Sequence, residues 1–169
     1  MPGSASYAGG VFTVNGSGTD IWHTYDQFNV VYQPSTGTTG TLIARVTSQT
    51  ATSANAKAGI IWKQSTAAGT NYLLIAVAPG GGIKVQYDFN GSIGGATYSF
   101  PNVWMKLVRD GKGKLSAYTS ADGTTWTAVL LGKTIALSGT TDVGLFVCSH
   151  ANGVLGTATF DNVSWTPGP

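Results

Sequence analysis

Gly82-Ile83-Lys84-Val85-Gln86-Tyr87-Asp88-Phe89-Asn90 decides the fold class of this chain. Ile83, Val85, Tyr87 and Phe89 alternate with Lys84, Gln86, Asp88 and Asn90. Successive side chains of a strand point to opposite faces, so a period of two reads as a strand with one apolar and one polar face. The same alternation sets Leu42, Ala44 and Val46 against Ile43, Arg45 and Thr47. From 58 to 64, Ala58, Ile60, Trp62 and Gln64 share one face, and Gly59, Ile61 and Lys63 share the other. Both of those faces are partly apolar, which suits a strand covered on two sides.

Working outward, strands are predicted near 10–14, 28–34, 41–49, 57–64, 71–78, 83–89, 95–100, 103–109, 114–120, 125–131, 142–149 and 156–165. Turn chemistry separates them: Asn15-Gly16, Pro79-Gly80, Asn90-Gly91, Asp110-Gly111, Asp122-Gly123 and Asn152-Gly153. The best helical candidate, 50–58, carries no apolar stripe. So many short strands in 169 residues predict an all-β, two-sheet antiparallel β-sandwich. Composition agrees. The chain has 24 Gly, and all seven acidic residues are Asp. Without Glu, and with few Lys, helix formers are scarce.

One domain fits this length. Residues 1–4 read as the edge of an excised segment and 166–169 as the start of a linker, which points to a module of a longer secreted protein. The nine basic residues are scattered singly, so a nucleic-acid partner is not expected. No apolar run reaches the roughly 20 residues of a membrane-spanning helix, so no membrane partner is expected either. Cys148 sits in an apolar run and reads as a buried small hydrophobe, although alternation puts His150 on its face.

Glycosidase chemistry wants paired carboxylates. Asp110 and Asp122 sit in Asp-Gly turns, and no acidic pair is suggested by spacing, so no enzymatic activity is expected. His23 and His150 lack a zinc-ligand spacing. No cofactor is required. Structural calcium is the metal best suited to loop aspartates, with Asp20 and Asp161 as its candidate ligands. Trp104, Trp126 and Trp165 lie among alternating apolar residues and read as core. Residues 20–27 mix Trp22, His23 and Tyr25 with Asp26 and Gln27, the combination of apolar ring and polar rim that suits a sugar.

Several motifs in fixed order carry a resemblance. They run from Gly9-Gly10-Val11-Phe12-Thr13-Val14 through Ala56-Lys57-Ala58-Gly59-Ile60 and Tyr118–Trp126 to Ala158-Thr159-Phe160-Asp161-Asn162-Val163. The set resembles the concanavalin A-like (laminin-G-like) jelly-roll modules appended to secreted bacterial glycoside hydrolases. That resemblance implies two curved antiparallel sheets, no catalytic role, an extracellular location, a covalently linked catalytic domain and a carbohydrate partner. Relatives carry an Arg where this chain has Lys63. Expected polar contacts to a polysaccharide or oligosaccharide are Lys63, Gln86, Asp88 and His150, with Trp22, Tyr25 and Tyr72 as stacking rings. The rival expectation is a structural or adhesive spacer, which predicts that every Trp and Tyr is buried.

Overall fold

In the computed structural model, residues 1–80, 82–94 and 103–168 are described. The strands are β1 (Ser4–Ala8), β2 (Val11–Gly18), β3 (Ile21–Trp22), β4 (Tyr25–Asp26), β5 (Asn29–Ser35), β6 (Gly40–Gln49), β7 (Lys57–Lys63) and β8 (Tyr72–Ala78). They continue with β9 (Gly82–Tyr87), β10 (Gly91–Gly94), β11 (Val103–Arg109), β12 (Lys114–Ser120), β13 (Thr127–Thr134), β14 (Thr141–Cys148) and β15 (Ala151–Pro167). No helix occurs among the described residues. The strand expected over 95–100 lies outside them.

All strand pairings among the described residues are antiparallel. A seven-stranded sheet runs β1-β2-β15-β6-β11-β12-β13, and a six-stranded sheet runs β10-β9-β8-β7-β14-β5. The two sheets share one core. Leu42, Ala44, Val46, Met105, Leu107 and Phe160 come from the first, and Ile60, Trp62, Leu73, Ile75, Val85 and Leu145 from the second. The inward sets are those that alternation picked out in β6, β7 and β9.

The six-stranded sheet is apolar on its outer face as well. Ile61, Tyr72, Leu74, Ala76 and Phe146 are buried there under Ile21 of the short β3–β4 hairpin. This explains why β7 and β8 are buried at every position. A two-residue-per-strand hairpin has almost no periodicity of its own, and its cover of the sheet is a tertiary event.

Four expectations are corrected. The strand at 83–89 ends at Tyr87, because Asp88 and Phe89 adopt left-handed backbone angles (φ 44° and 72°). The reversal carries Phe89 out of the inward set and sets its ring edge-on to Tyr72, with centroids 6.5 Å apart. Asn15-Gly16 is no turn but lies within β2, where a Cβ on Gly16 would stand 2.1 Å from the Val147 carbonyl oxygen. Asn152-Gly153 likewise lies within β15, beside a shift in register. Trp104 and Trp126 are half-buried on the outer face of the seven-stranded sheet rather than in the core; Trp165 does pack against the core, edge-on to Trp62 at 5.1 Å.

Arg45 of β6 and Asp161 of β15 face each other across neighbouring strands and form a two-point ion pair. Hydrogen bonds from Arg45 hold the Asp161 carboxyl below its ordinary value of 3.8. The unfolded chain therefore takes up that proton more readily than the folded one. The contribution is complete above the ordinary value and is lost as pH falls through the lowered one. Urea unfolding between pH 6 and 2.5 should show stability falling below about pH 4, and Asp161→Asn should flatten that fall. Equal slopes for both proteins would contradict the assignment.

Candidate functional site

Strand β7 begins with Lys57 and ends with Lys63, both on its outer face. The β3–β4 hairpin is bracketed by Asp20 and Asp26. Lys57 Nζ pairs with Asp20, and Lys63 Nζ pairs with Asp26 at 3.0 Å. Two ion pairs thus fix the two ends of the hairpin to the two ends of one strand. Backbone bonds support this: Gln27 N–H donates to Asp20 O at 3.0 Å, and His23 N–H donates to Phe89 O at 2.5 Å. His23 takes a left-handed angle (φ 54°) at the hairpin tip, a conformation that histidine adopts more readily than most residues.

The Lys63–Asp26 pair is the deeper. Both side chains are buried, and Lys63 also donates to the carbonyls of Ala67 (2.8 Å) and Thr70 (3.1 Å). Asp26 accepts the Gly69 N–H at 2.7 Å. Burial pushes the Lys63 ammonium below its ordinary value, and Asp26 opposes the shift. This lysine is a rivet with no free reach to solvent, so the expectation that it contacts ligand is corrected. Tyr72 is corrected too. Its ring is fully buried under the hairpin and has no face to offer. Burial, with help from the nearby aspartates, pushes its phenol far above the ordinary value.

Beside the hairpin lies an open depression of about 250 Å³. Its sheet side is Lys57 of β7, Lys84 and Gln86 of β9, and Ser92 of β10. Asp20 and Trp22 of the hairpin segment, together with Asn55 and His150 from loops, close it. His150 holds a left-handed angle (φ 53°) in a turn tied by Ser149 Oγ, which donates to the Ala151 carbonyl at 2.8 Å. His150 Nε2 stands 3.4 Å from Asp20 Oδ2. Gln86 is 5% exposed, and its Oε1 is buried without a hydrogen-bond partner. A buried acceptor left unpaired costs about 1–3 kcal/mol.

Four expected residues therefore meet here: Asp20, Trp22, Gln86 and His150. Tyr25 is the cross-strand partner of Trp22 and is 63% exposed, but it does not line the depression. Asp88 sits in the turn after β9, where burial raises its carboxyl above the ordinary value. The two calcium candidates are not brought together. Asp20 faces Lys57 and His150, and Asp161 faces Arg45, so each acid meets basic partners. Among the described residues no group of three His, Cys, Asp or Glu side chains could hold a metal ion. Cys148 is buried, and burial raises its thiol, which is the opposite of an activated nucleophile.

Lys57, Lys84, Asn55 and Ser92 were not foreseen. Lys84 and Gln86 share a face by simple alternation, as Lys57 and Lys63 do, so a sheet-face reading could have found both lysines. Asn55 and Ser92 gave no such signal.

Two other surfaces offer less. A cavity of about 410 Å³ opens between the sheets near β5, but its lining of Tyr7, Phe12, Val31, Leu42 and Trp165 is mainly apolar and holds no ionisable acid or base except tyrosine. On the outer face of the seven-stranded sheet, Lys106 lies 4.2 Å from the Trp126 ring centre and 4.7 Å from that of Tyr118, and Arg45 lies 5.4 Å from that of Trp104. Cations already occupy those rings.

No protein-family model matches the chain, and no curated protein matches it in sequence. Solved structures do. A functionally unknown protein from Saccharomyces cerevisiae is similar over 98% of this chain and 92% of its own, with a TM-score of 0.68 and 21% identity. These likenesses establish the fold. A GH43 protein from Bacillus licheniformis, BlXynB, is similar over 92% of this chain but only 32% of its own, with a TM-score of 0.66 and 21% identity. A lectin from Bauhinia forficata in complex with GalNAc is similar over 96% of this chain and 88% of its own, with a TM-score of 0.50 and 15% identity.

Asp26→Asn removes the carboxylate paired directly with the buried Lys63 ammonium, leaving Asp142 as the remaining nearby acid, and should cost about 3–5 kcal/mol in urea unfolding. The double replacement Lys63→Met/Asp26→Leu removes both charges and should cost much less. A single variant as stable as the parent protein would contradict the rivet.

Proposed function

We propose that this chain is a non-catalytic carbohydrate-binding module with a concanavalin A-like jelly-roll fold, which holds a secreted bacterial enzyme to a polysaccharide. The observation that carries the reading is the depression beside the hairpin. It joins one partly exposed indole, Trp22, to hydroxyl, amide, imidazole, ammonium and carboxylate groups, with a buried and unpaired Gln86 Oε1 among them. A sugar ring offers an apolar C–H face to such an indole and hydroxyls to such a rim.

The depression contains one carboxylate, Asp20, already engaged by Lys57. Hydrolysis by the usual paired acids would need a second within about 5–9.5 Å. That supports binding without cleavage. The lectin neighbour, solved in complex with GalNAc, supports a fold suited to sugars. The GH43 neighbour, in which the likeness takes up about one third of the chain, supports attachment to a larger enzyme. The spacer reading fares less well. Among the described residues only Trp62 and Tyr72 of the Trp and Tyr set are fully enclosed, while Tyr7, Tyr25 and Tyr32 are half-exposed or more.

Affinity is expected in the range of roughly micromolar to millimolar, as an open and shallow site allows. Affinity electrophoresis against a panel of plant and microbial polysaccharides should show retention on at least one. Trp22→Ala should weaken it tenfold or more, which is about 1.4 kcal/mol. Retention on none, with the protein folded, would overturn the proposal.

A further inference from the structure

The charge balance of the depression deepens that reading and rests on it. Lys57, Lys84 and His150 face a single acid, Asp20. Asp20 is used three times over: it pairs with Lys57, lies 3.4 Å from His150, and accepts the Ile21 N–H at 2.7 Å. Nothing remains for Lys84. Among the described residues it has no ion pair, no side-chain hydrogen bond and no ring beneath its ammonium. Its cross-strand neighbours are Ala76 on one side and Gly94 on the other, so its stem stands between two small residues. The lining carries a net +1 with His150 neutral and +2 with it protonated.

A neutral sugar would leave that ammonium uncompensated in the mouth of the site. A carboxylate on the sugar would complete it. Gln86, next to Lys84 on the same strand face, lines the same depression and would at the same time meet the sugar ring. We propose that the site selects acidic saccharides, uronate-bearing glycans in particular, with Lys84 as the residue that reads the carboxylate and Trp22 and Gln86 reading the ring. Charge-assisted contacts of this kind weaken with ionic strength, because the screening length drops from about 10 Å at 0.1 M salt to about 3 Å at 1 M.

Matched ligands test this cleanly. Polygalacturonate and glucuronoxylan are each compared with their carboxyl-reduced forms, which keep the sugar configuration and lose the charge. Binding is measured by affinity electrophoresis and calorimetry in 20 mM and 500 mM salt. At least one acidic form should bind tenfold or more tightly than its reduced partner at low salt, with the ratio shrinking at high salt. Lys84→Gln should collapse the ratio, and Lys84→Arg should keep most of it. Lys112→Gln, in an exposed turn, removes the same charge elsewhere and should leave the ratio unchanged; thermal melting checks that each variant is folded. Equal or tighter binding of the reduced forms overturns the acidic preference while the sugar-binding reading stands. An equal loss in Lys84→Gln and Lys112→Gln also overturns it, since net charge alone would then explain retention. No retention of these or of any neutral polysaccharide removes both.

Discussion

Two ion pairs at the ends of strand β7 hold the outer face of the six-stranded sheet together. Lys57 takes Asp20 and Lys63 takes Asp26, so the hairpin between these aspartates is fixed at both ends. Everything distinctive about the molecule follows from that. The hairpin buries Ile21 against Ile61, Tyr72, Leu74 and Phe146 and gives the sheet a second core. It also stops short of β9 and β10, and the uncovered remainder of the sheet face becomes the depression. Trp22 stands at that boundary because its neighbour Ile21 is buried and successive side chains of a strand point apart. The two pairs differ in character. Lys63–Asp26 is sealed and structural, whereas Lys57–Asp20 lines the depression and serves both the fold and the site.

The electrostatics separate the two faces of the sandwich. On the seven-stranded sheet, Lys106 and Arg45 sit over Tyr118, Trp126 and Trp104, and Asp161 pairs with Arg45, so charge and ring are mutually satisfied. On the six-stranded sheet, Trp22 carries no cation among the described residues; its ring neighbour is His23, edge-on with centroids 5.4 Å apart. An unoccupied indole beside an unpaired ammonium and an unpaired amide oxygen is what distinguishes this face chemically. With only 9% of its residues charged, each unpaired charge on the protein carries more weight than it would on an ordinary surface.

Much of the fold was legible in the sequence. Alternation in 42–47, 58–63 and 83–87 grouped the residues that share the inward face, because burial of one face forces a period of two. Reading failed where tertiary contacts override local pattern. The left-handed angles at Asp88 and Phe89 turn an apparently continuous alternation across to the other face, and nothing local marks the break. Asn15-Gly16 has the composition of a turn, yet its glycine is there because Val147 leaves no room for a side chain. Within the site, residues 20–27 were singled out for their mixture of aromatic and polar groups, and Trp22 of that stretch lines the depression together with Asp20, which was expected as a calcium ligand instead. Lys63, expected as a polar contact from the resemblance, and Tyr72, expected as a stacking ring, are both buried. Alternation puts Lys63 on one face with Gly59 and Ile61, but does not say that a hairpin covers that face. Lys84 went unnoticed because an isolated lysine on a strand looks like ordinary surface until its neighbours prove to be Ala76 and Gly94.

The account stands or falls on where a sugar touches the protein. Its most direct measurement is a titration of isotopically labelled protein with an oligosaccharide, followed by nitrogen–proton correlation spectra. Saturable shifts should centre on the Trp22 indole N–H, the amides of Lys84 and Gln86, and the turn at His150, with the Trp104 and Trp126 indoles unmoved. Shifts confined to those two indoles, or to the apolar mouth around Tyr7 and Trp165, would show that the depression beside the hairpin is not the binding site.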